Sequence, residues 1–254
     1  MGKIKNKKVL KKVIITLGVT ATFAITSYFG IEIEEYINNI SNEYKISYTT
    51  SFDLNTIPEF TNEPYIVLNN NQPEFSDEDF NKKSFEEYSK LDYLGRCGPA
   101  FAKVGIETMP TEERGEIGMV RPSGWKTIKY DNIDGKYLYN RCHLIGYQLT
   151  GENANEENLI TGTRYMNVEG MLPFENIVAE YVRKTENHVL YKVTPIFEGK
   201  NLLANGVQIE AKSVEDSGEG ICFNVYVYNN QPGITINYTN VDSTLNYKIS
   251  KYKE

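Results

Sequence analysis

The chain has 254 residues, 40% of them hydrophobic and 24% charged, with 19 glycines and 9 prolines; these proportions exclude collagen-like, low-complexity and mostly disordered chains. The formal charge is −7, and six of the 27 basic side chains crowd into the first twelve residues, where no acidic one occurs, so the remainder is more acidic still. A protein that coats nucleic acid electrostatically is basic over its length; any nucleic-acid chemistry in this chain must belong to a local site.

Residues 1–12 read as a basic cytoplasmic segment. Residues 13–30, from Val13 to Gly30, carry no charge, and as a helix they span about 27 Å, close to the hydrocarbon thickness of a bilayer. Lysines before such a run hold the N-terminus in the cytoplasm, so everything beyond residue 30 is expected outside. The run reads as a transmembrane anchor; a signal peptide is the alternative, since Ala24 and Ser27 leave room for cleavage without a clean Ala-x-Ala site. The expected location is the cell membrane with the domain outside, or the medium if the segment is cut. Residues 31–50 are polar and read as a spacer.

From residue 51 to residue 245 the texture is that of one α+β domain with a mixed, mainly antiparallel sheet, followed by a tail at 246–254. Tyr65–Leu68 suggests a short strand ending in the turn Asn69-Asn70-Asn71-Gln72-Pro73. Residues 75–90 are acidic and suggest a solvated helix face, and residues 91–106, with Gly95, Gly98 and Gly105, suggest turns and short pieces. Trp125–Tyr130 and Tyr137–Asn140 suggest a hairpin around Asp134-Gly135. Pro173 suits a first helical turn, and Phe174, Ile177, Val178, Tyr181 and Val182 make one apolar stripe of a helix ending near Thr185. Alternation at 189–193, 207–211 and 221–228 predicts an antiparallel meander.

The chain has two histidines, which narrows general-base chemistry sharply. His188 opens a strand, where a capping or surface role is the ordinary one. His143 follows a predicted strand and precedes the polar loop Gly151–Asn158, a setting common at active sites, although a lone histidine is as often structural. Cys97, Cys142 and Cys222 allow one disulfide in any of three pairings, and their spacing matches no zinc pattern.

Asn140-Arg141-Cys142-His143-Leu144-Ile145-Gly146-Tyr147 followed by Asn158-Leu159-Ile160-Thr161-Gly162-Thr163-Arg164-Tyr165-Met166-Asn167 resembles the DNA/RNA non-specific endonucleases of the ββα-metal (His-Me finger) superfamily, and especially the membrane-bound DNA-entry nucleases and secreted DNases of Gram-positive bacteria. The likeness continues through Gly170–Glu175, Val193-Thr194-Pro195 and Tyr228–Gly233, and Leu91–Arg96 shares it. It implies an exported endonuclease that hydrolyses DNA and RNA with little sequence preference, since such chemistry grips the phosphate backbone. A histidine that titrates near pH 6.5 takes the proton of the attacking water, and the resemblance puts that role on His143. It puts the metal on Asn167, with Glu175 bound to it through water; the ion is Mg²⁺, with Mn²⁺ as a substitute. Arg141 is implied to neutralise phosphate charge, and Asn158 to orient the substrate or the histidine loop. Arg121 and Arg114 are weaker candidates for a second substrate-binding arginine.

Asn140 and Cys142 stand where the family's commonest motif has Asp and Gly. Cys142 is then either a free buried thiol or half of a disulfide with Cys97. The alternative to an enzyme is an inactive surface DNA-binding or DNA-uptake subunit, against which the joint presence of His143, Asn167 and Glu175 speaks. An adhesion domain rests on the anchor and the 19 tyrosines alone.

Overall fold

A computed structural model of the chain describes residues 57–246. The basic segment, the apolar run 13–30, the spacer and the tail beyond residue 246 lie outside the described residues. Among the described residues no helix is long and apolar enough to cross a membrane.

The domain is α+β. Its frame is a six-stranded sheet in the order β1-β8-β7-β6-β3-β2, every neighbour antiparallel. The strands are β1 (Tyr65–Val67), β2 (Phe85–Tyr88), β3 (Ala100–Val104), β6 (Val189–Ile196), β7 (Gly206–Ser213) and β8 (Cys222–Tyr228). The predicted meander is thus β6, β7 and β8 in adjacent order. Two stretches of the frame differ from the sequence reading. Residues 75–90 hold only the short helix α1 (Asp77–Asn81), closed by a Ser76–Asp79 capping box, before turning into edge strand β2. Residues 91–106 contain β3, which lies between β2 and β6; its small residues Ala100 and Ala102 are fully buried, so packing makes a strand where propensity alone suggests turns.

The helix α3 (Leu172–Thr185) has a proline in its first turn and ends at Glu186, which adopts a left-handed conformation. Its predicted stripe is buried, and Phe174 packs edge-on to Tyr65 and at a tilt to Phe223, ring centroids 4.9 and 5.0 Å away.

A second unit carries the candidate site. Strands β4 (Tyr139–His143) and β5 (Leu159–Thr163) form an antiparallel hairpin whose connection holds the single-turn helix α2 (Tyr147–Thr150). β5 leads through a π-helical turn, Met166–Met171, directly into α3, giving strand, strand, helix in chain order. The predicted hairpin around Asp134-Gly135 is reduced to one isolated bridge, Lys129 to Tyr137, because residues 139–143 pair with 159–163 instead. Residues 105–138 form no strand or helix, an unusual length for an irregular segment in a packed domain.

The hairpin joins the frame through side chains. The Oδ1 of Asn229, itself fully buried, accepts from Thr163 N at 2.8 Å, and its Nδ2 donates to Thr161 O and Ala204 O. Gln231 Oε1 accepts from Tyr165 N at 3.0 Å. These bonds fix the junction from which the π turn departs.

Candidate active site

His143 is the last residue of β4 and is buried. The chain must turn immediately after it. Asn158, fully buried, accepts from Ile145 N at 2.9 Å and donates to Ile145 O at 3.0 Å, while its own carbonyl accepts from Leu144 N. Of the two roles open to Asn158 in the sequence, this position matches holding the histidine loop, because a fully buried amide bonded on both sides has no surface left for substrate.

The ring of His143 is oriented by a backbone carbonyl. Its Nε2 lies 2.7 Å from Asn153 O, and a carbonyl only accepts, so Nε2 carries the proton and Nδ1 holds the lone pair. Nδ1 in turn lies 3.3 Å from Nη2 of Arg114, which donates to it. Burial first, and the Arg114 charge as well, push the imidazole down to about 4, against the favourable bond to Asn153. His143 is therefore a neutral base at physiological pH.

Arg141 lies two residues before His143 and so on the same face of β4. Its guanidinium donates to Val120 O and, at 2.7 Å, to Gly118 O, and stacks 3.8 Å over Trp125. Two of its five donors thus staple the irregular segment over the strand. Arg121, exposed at the next position along that segment, is near enough for its charge to add to burial in lowering the pKa of Arg141.

Asn167 and Glu175 come from the helical arm. Eight residues of α-helix would leave their directions about 80° apart. The π turn takes up one extra residue, so the separation becomes close to two turns and both positions face the same way. The side chain of Asn167 makes no hydrogen bond among the described residues, while its carbonyl accepts from Leu172 N. Glu175, in the first turn of α3, presses on Gly146, where a Cβ would collide with its carboxylate. Burial raises its carboxyl to about 7, opposed by a bond from Gln148 and by the Arg114 charge. An amide without a hydrogen-bond partner and a half-buried carboxylate on one helical face are a hard oxygen donor set, which fits a divalent cation such as Mg²⁺.

Among the described residues all three cysteines are free thiols. The Cys97 thiol donates to Leu159 O and Glu156 O, and burial pushes it up to about 12. Cys142 points to the opposite face of β4 from His143, packed on Gly162 and Met166. The disulfide open to them in the sequence is therefore not formed. His188 sits between Glu215 and Glu107 near the surface, bonded to both, as its surface reading expects.

The structure thus brings His143, Arg114 and Glu175 into one electrostatic cluster and puts Arg141 and Arg121 beside each other on the same flank. It adds residues that sequence reasoning did not single out: Gly146, Gln148 and the carbonyl of Asn153. Asn153 lies in the loop already marked by its polarity and length, Gly146 lies within the motif Asn140–Tyr147, and Gln148 carries no local signal.

The DNA/RNA non-specific endonuclease family matches residues 78–215. A curated deoxyribonuclease of Streptococcus dysgalactiae subsp. equisimilis is 34% identical over 107 residues, 40% of this chain, which spans about a third (32%) of that relative's length. Among solved structures, NucA from Streptococcus agalactiae with magnesium bound superposes with a TM-score of 0.67 at 25% identity, covering 84% of this chain and 96% of NucA. The Sda1 nuclease with bound zinc gives 0.55 at 28% identity, covering 72% of this chain and 96% of Sda1.

Proposed function

The chain belongs to the DNA/RNA non-specific endonuclease family, and from that membership and the geometry around His143 we propose that it is a divalent-metal-dependent endonuclease that hydrolyses DNA and RNA outside the cell with little sequence preference. The observation that carries the reading is the orientation of His143: Nε2–H donates to Asn153 O, which leaves Nδ1 as the lone-pair nitrogen, with Arg114 as its donor. A water that takes the place of Arg114 at Nδ1 gives its proton to that nitrogen as its oxygen bonds to phosphorus; the 3′ oxygen leaves with the electron pair of the broken P–O bond and takes a proton from water. Arg141, Arg121 and Arg114 supply the positive charge that the pentavalent phosphate needs. Asn167 would hold the metal directly and Glu175 would support it through water. Mg²⁺ is the assigned ion, with Mn²⁺ as a substitute; bound there, it supplies charge stabilisation to the phosphate and the leaving oxygen.

The magnesium-bound and zinc-bound relatives support a divalent ion, and the hard oxygen donors here favour Mg²⁺ over zinc. The endonuclease domain is assigned to residues 51–245, carried outside by the segment at 13–30 as an anchor or, once cut, released. The test is digestion of supercoiled plasmid and of a single-stranded RNA by the full chain. Cleavage of both with Mg²⁺ and none with EDTA is the expected result; an inert protein under every divalent ion supports a nucleic-acid-binding subunit instead.

A further inference from the structure

Arg114 is the middle of a strap. Tyr147 Oη donates to Glu112 O at 2.8 Å on one side of it, and Asn153 Nδ2 donates to Glu116 O at 3.4 Å on the other. Gly115 is pressed against the same Asn153 side chain, so a Cβ there would meet Nδ2 at 2.8 Å. Asn153 therefore fastens the strap with its amide and orients the base with its carbonyl. Between the two fastenings the exposed Arg114 reaches down and donates to Nδ1 of His143, the one nitrogen that can accept a proton.

That contact has a chemical consequence. A guanidinium hydrogen-bonded to the lone pair of Nδ1 occupies the position that the attacking water needs. A neutral imidazole is a weak hold on a guanidinium, whereas a phosphate offers two anionic oxygens in the geometry that the guanidinium fork matches. We propose that Arg114 is a phosphate-drawn clasp on the catalytic base: in the free enzyme it caps Nδ1 of His143, and the phosphate of an arriving strand draws it off, so that the base is opened by substrate itself. This rests on the nuclease reading of the same site. The charges around the ring are few. Arg114 comes from the strap, Arg141 shares the face of β4, and Glu175, from α3 beyond Gly146, acts on Arg114 rather than pairing with His143.

The test uses the full chain with ¹⁵N-labelled histidines; with two histidines in the sequence, His188 serves as an internal control. In EDTA, Arg114→Ala is expected to raise the titration midpoint of His143 by at least half a unit and to shift its Nδ1 signal, with His188 unmoved and Arg114→Lys in between. Thymidine 3′,5′-bisphosphate, added in EDTA at saturation, should then move the His143 Nδ1 signal further in the wild type than in Arg114→Ala, because only the wild type has a clasp to lose. With Mg²⁺ and plasmid, Arg114→Ala should shift the acid limb of kcat/KM upward as well as lowering its height. An unmoved midpoint in Arg114→Ala overturns the proposal. So does an equal response of both proteins to the bisphosphate, or none in the wild type. An arginine that only grips phosphate lowers kcat/KM and leaves the limb in place, which also overturns it. Failure of the nuclease reading shows separately, as a wild type that cuts no plasmid under any divalent ion while the EDTA titrations stand.

Discussion

Strands β6, β7 and β8 run for seven or eight residues each with ladders between them, and their apolar faces are closed by packing that includes Phe174 of α3. The hairpin β4–β5 has five-residue strands and, among the described residues, no third strand beside it. It is fastened by side chains: Asn158 to the Ile145 backbone, Asn229 to Thr161 and Thr163, Gln231 to Tyr165, and Arg141 to Gly118 and Val120. A ladder keeps its backbone bonds when one side chain is cut back. A clamp does not, because truncating one amide orphans two buried backbone groups. Arg141 and His143 lie in the clamped region, so their geometry depends on a few polar side chains, of which Asn158 and Asn229 are fully buried.

The sharpest contrast is between Asn158→Ala and Ile209→Ala. Removing the Asn158 amide leaves the N–H and C=O of Ile145 unpaired, at a cost of about 2–4 kcal/mol, and releases the turn after His143, with an expected loss of roughly 100-fold in kcat. Ile209, fully buried in β7, costs about 2–5 kcal/mol as alanine but should leave kcat of the folded protein unchanged. Thermal melts and plasmid turnover below both melting temperatures measure the pair. Full kcat in Asn158→Ala would erase the distinction between clamp and ladder.

A smaller effect is expected at Gly146, whose missing Cβ is the space that Glu175 fills. Gly146→Ala should displace that carboxylate and weaken Mg²⁺ binding by about 10–100-fold, as read by isothermal titration. Unaltered binding would separate Glu175 from the metal.

The smallest effect is in the pH dependence of metal-free stability. The carboxyl of Glu175 is raised from 4.5 to about 7, so between those values the native state binds more protons than the unfolded one and stability falls as pH rises. His143, lowered from 6.5 to about 4, has the opposite sign: the unfolded chain binds more protons between pH 4 and 6.5, and stability rises with pH there. The two contributions offset each other over the shared window. Glu175→Gln should therefore reveal a Tm that climbs more steeply from pH 4 to 6.5 than in the wild type, measured in EDTA. A parallel pair of curves would contradict the proton-holding Glu175.

What the sequence made legible follows the same division. α3, β6 and much of β7 announce themselves because one face is the more buried, which imprints a period of 3.6 or 2, while β8, buried on nearly every residue, shows as an apolar run. β3 hides, since Ala100 and Ala102 are small and glycines flank the strand. The π turn has no compositional mark, yet it decides whether Asn167 and Glu175 face together. The contact of Arg114 with the base leaves no mark in the sequence, because its partner lies 29 residues away across an irregular segment. The motif from Asn140 to Glu175 supplies the proposed reacting groups through resemblance; the clamps that hold its backbone act across the fold and leave no local pattern.

The central claim is that Nδ1 of His143 is the general base, and His143→Ala tests it most directly. Single-turnover cleavage of supercoiled plasmid with Mg²⁺ should fall by about 10²–10⁴-fold, with circular dichroism and His188 signals unchanged and partial recovery when imidazole is added. Wild-type cleavage rates in His143→Ala, with the fold intact, would contradict the account.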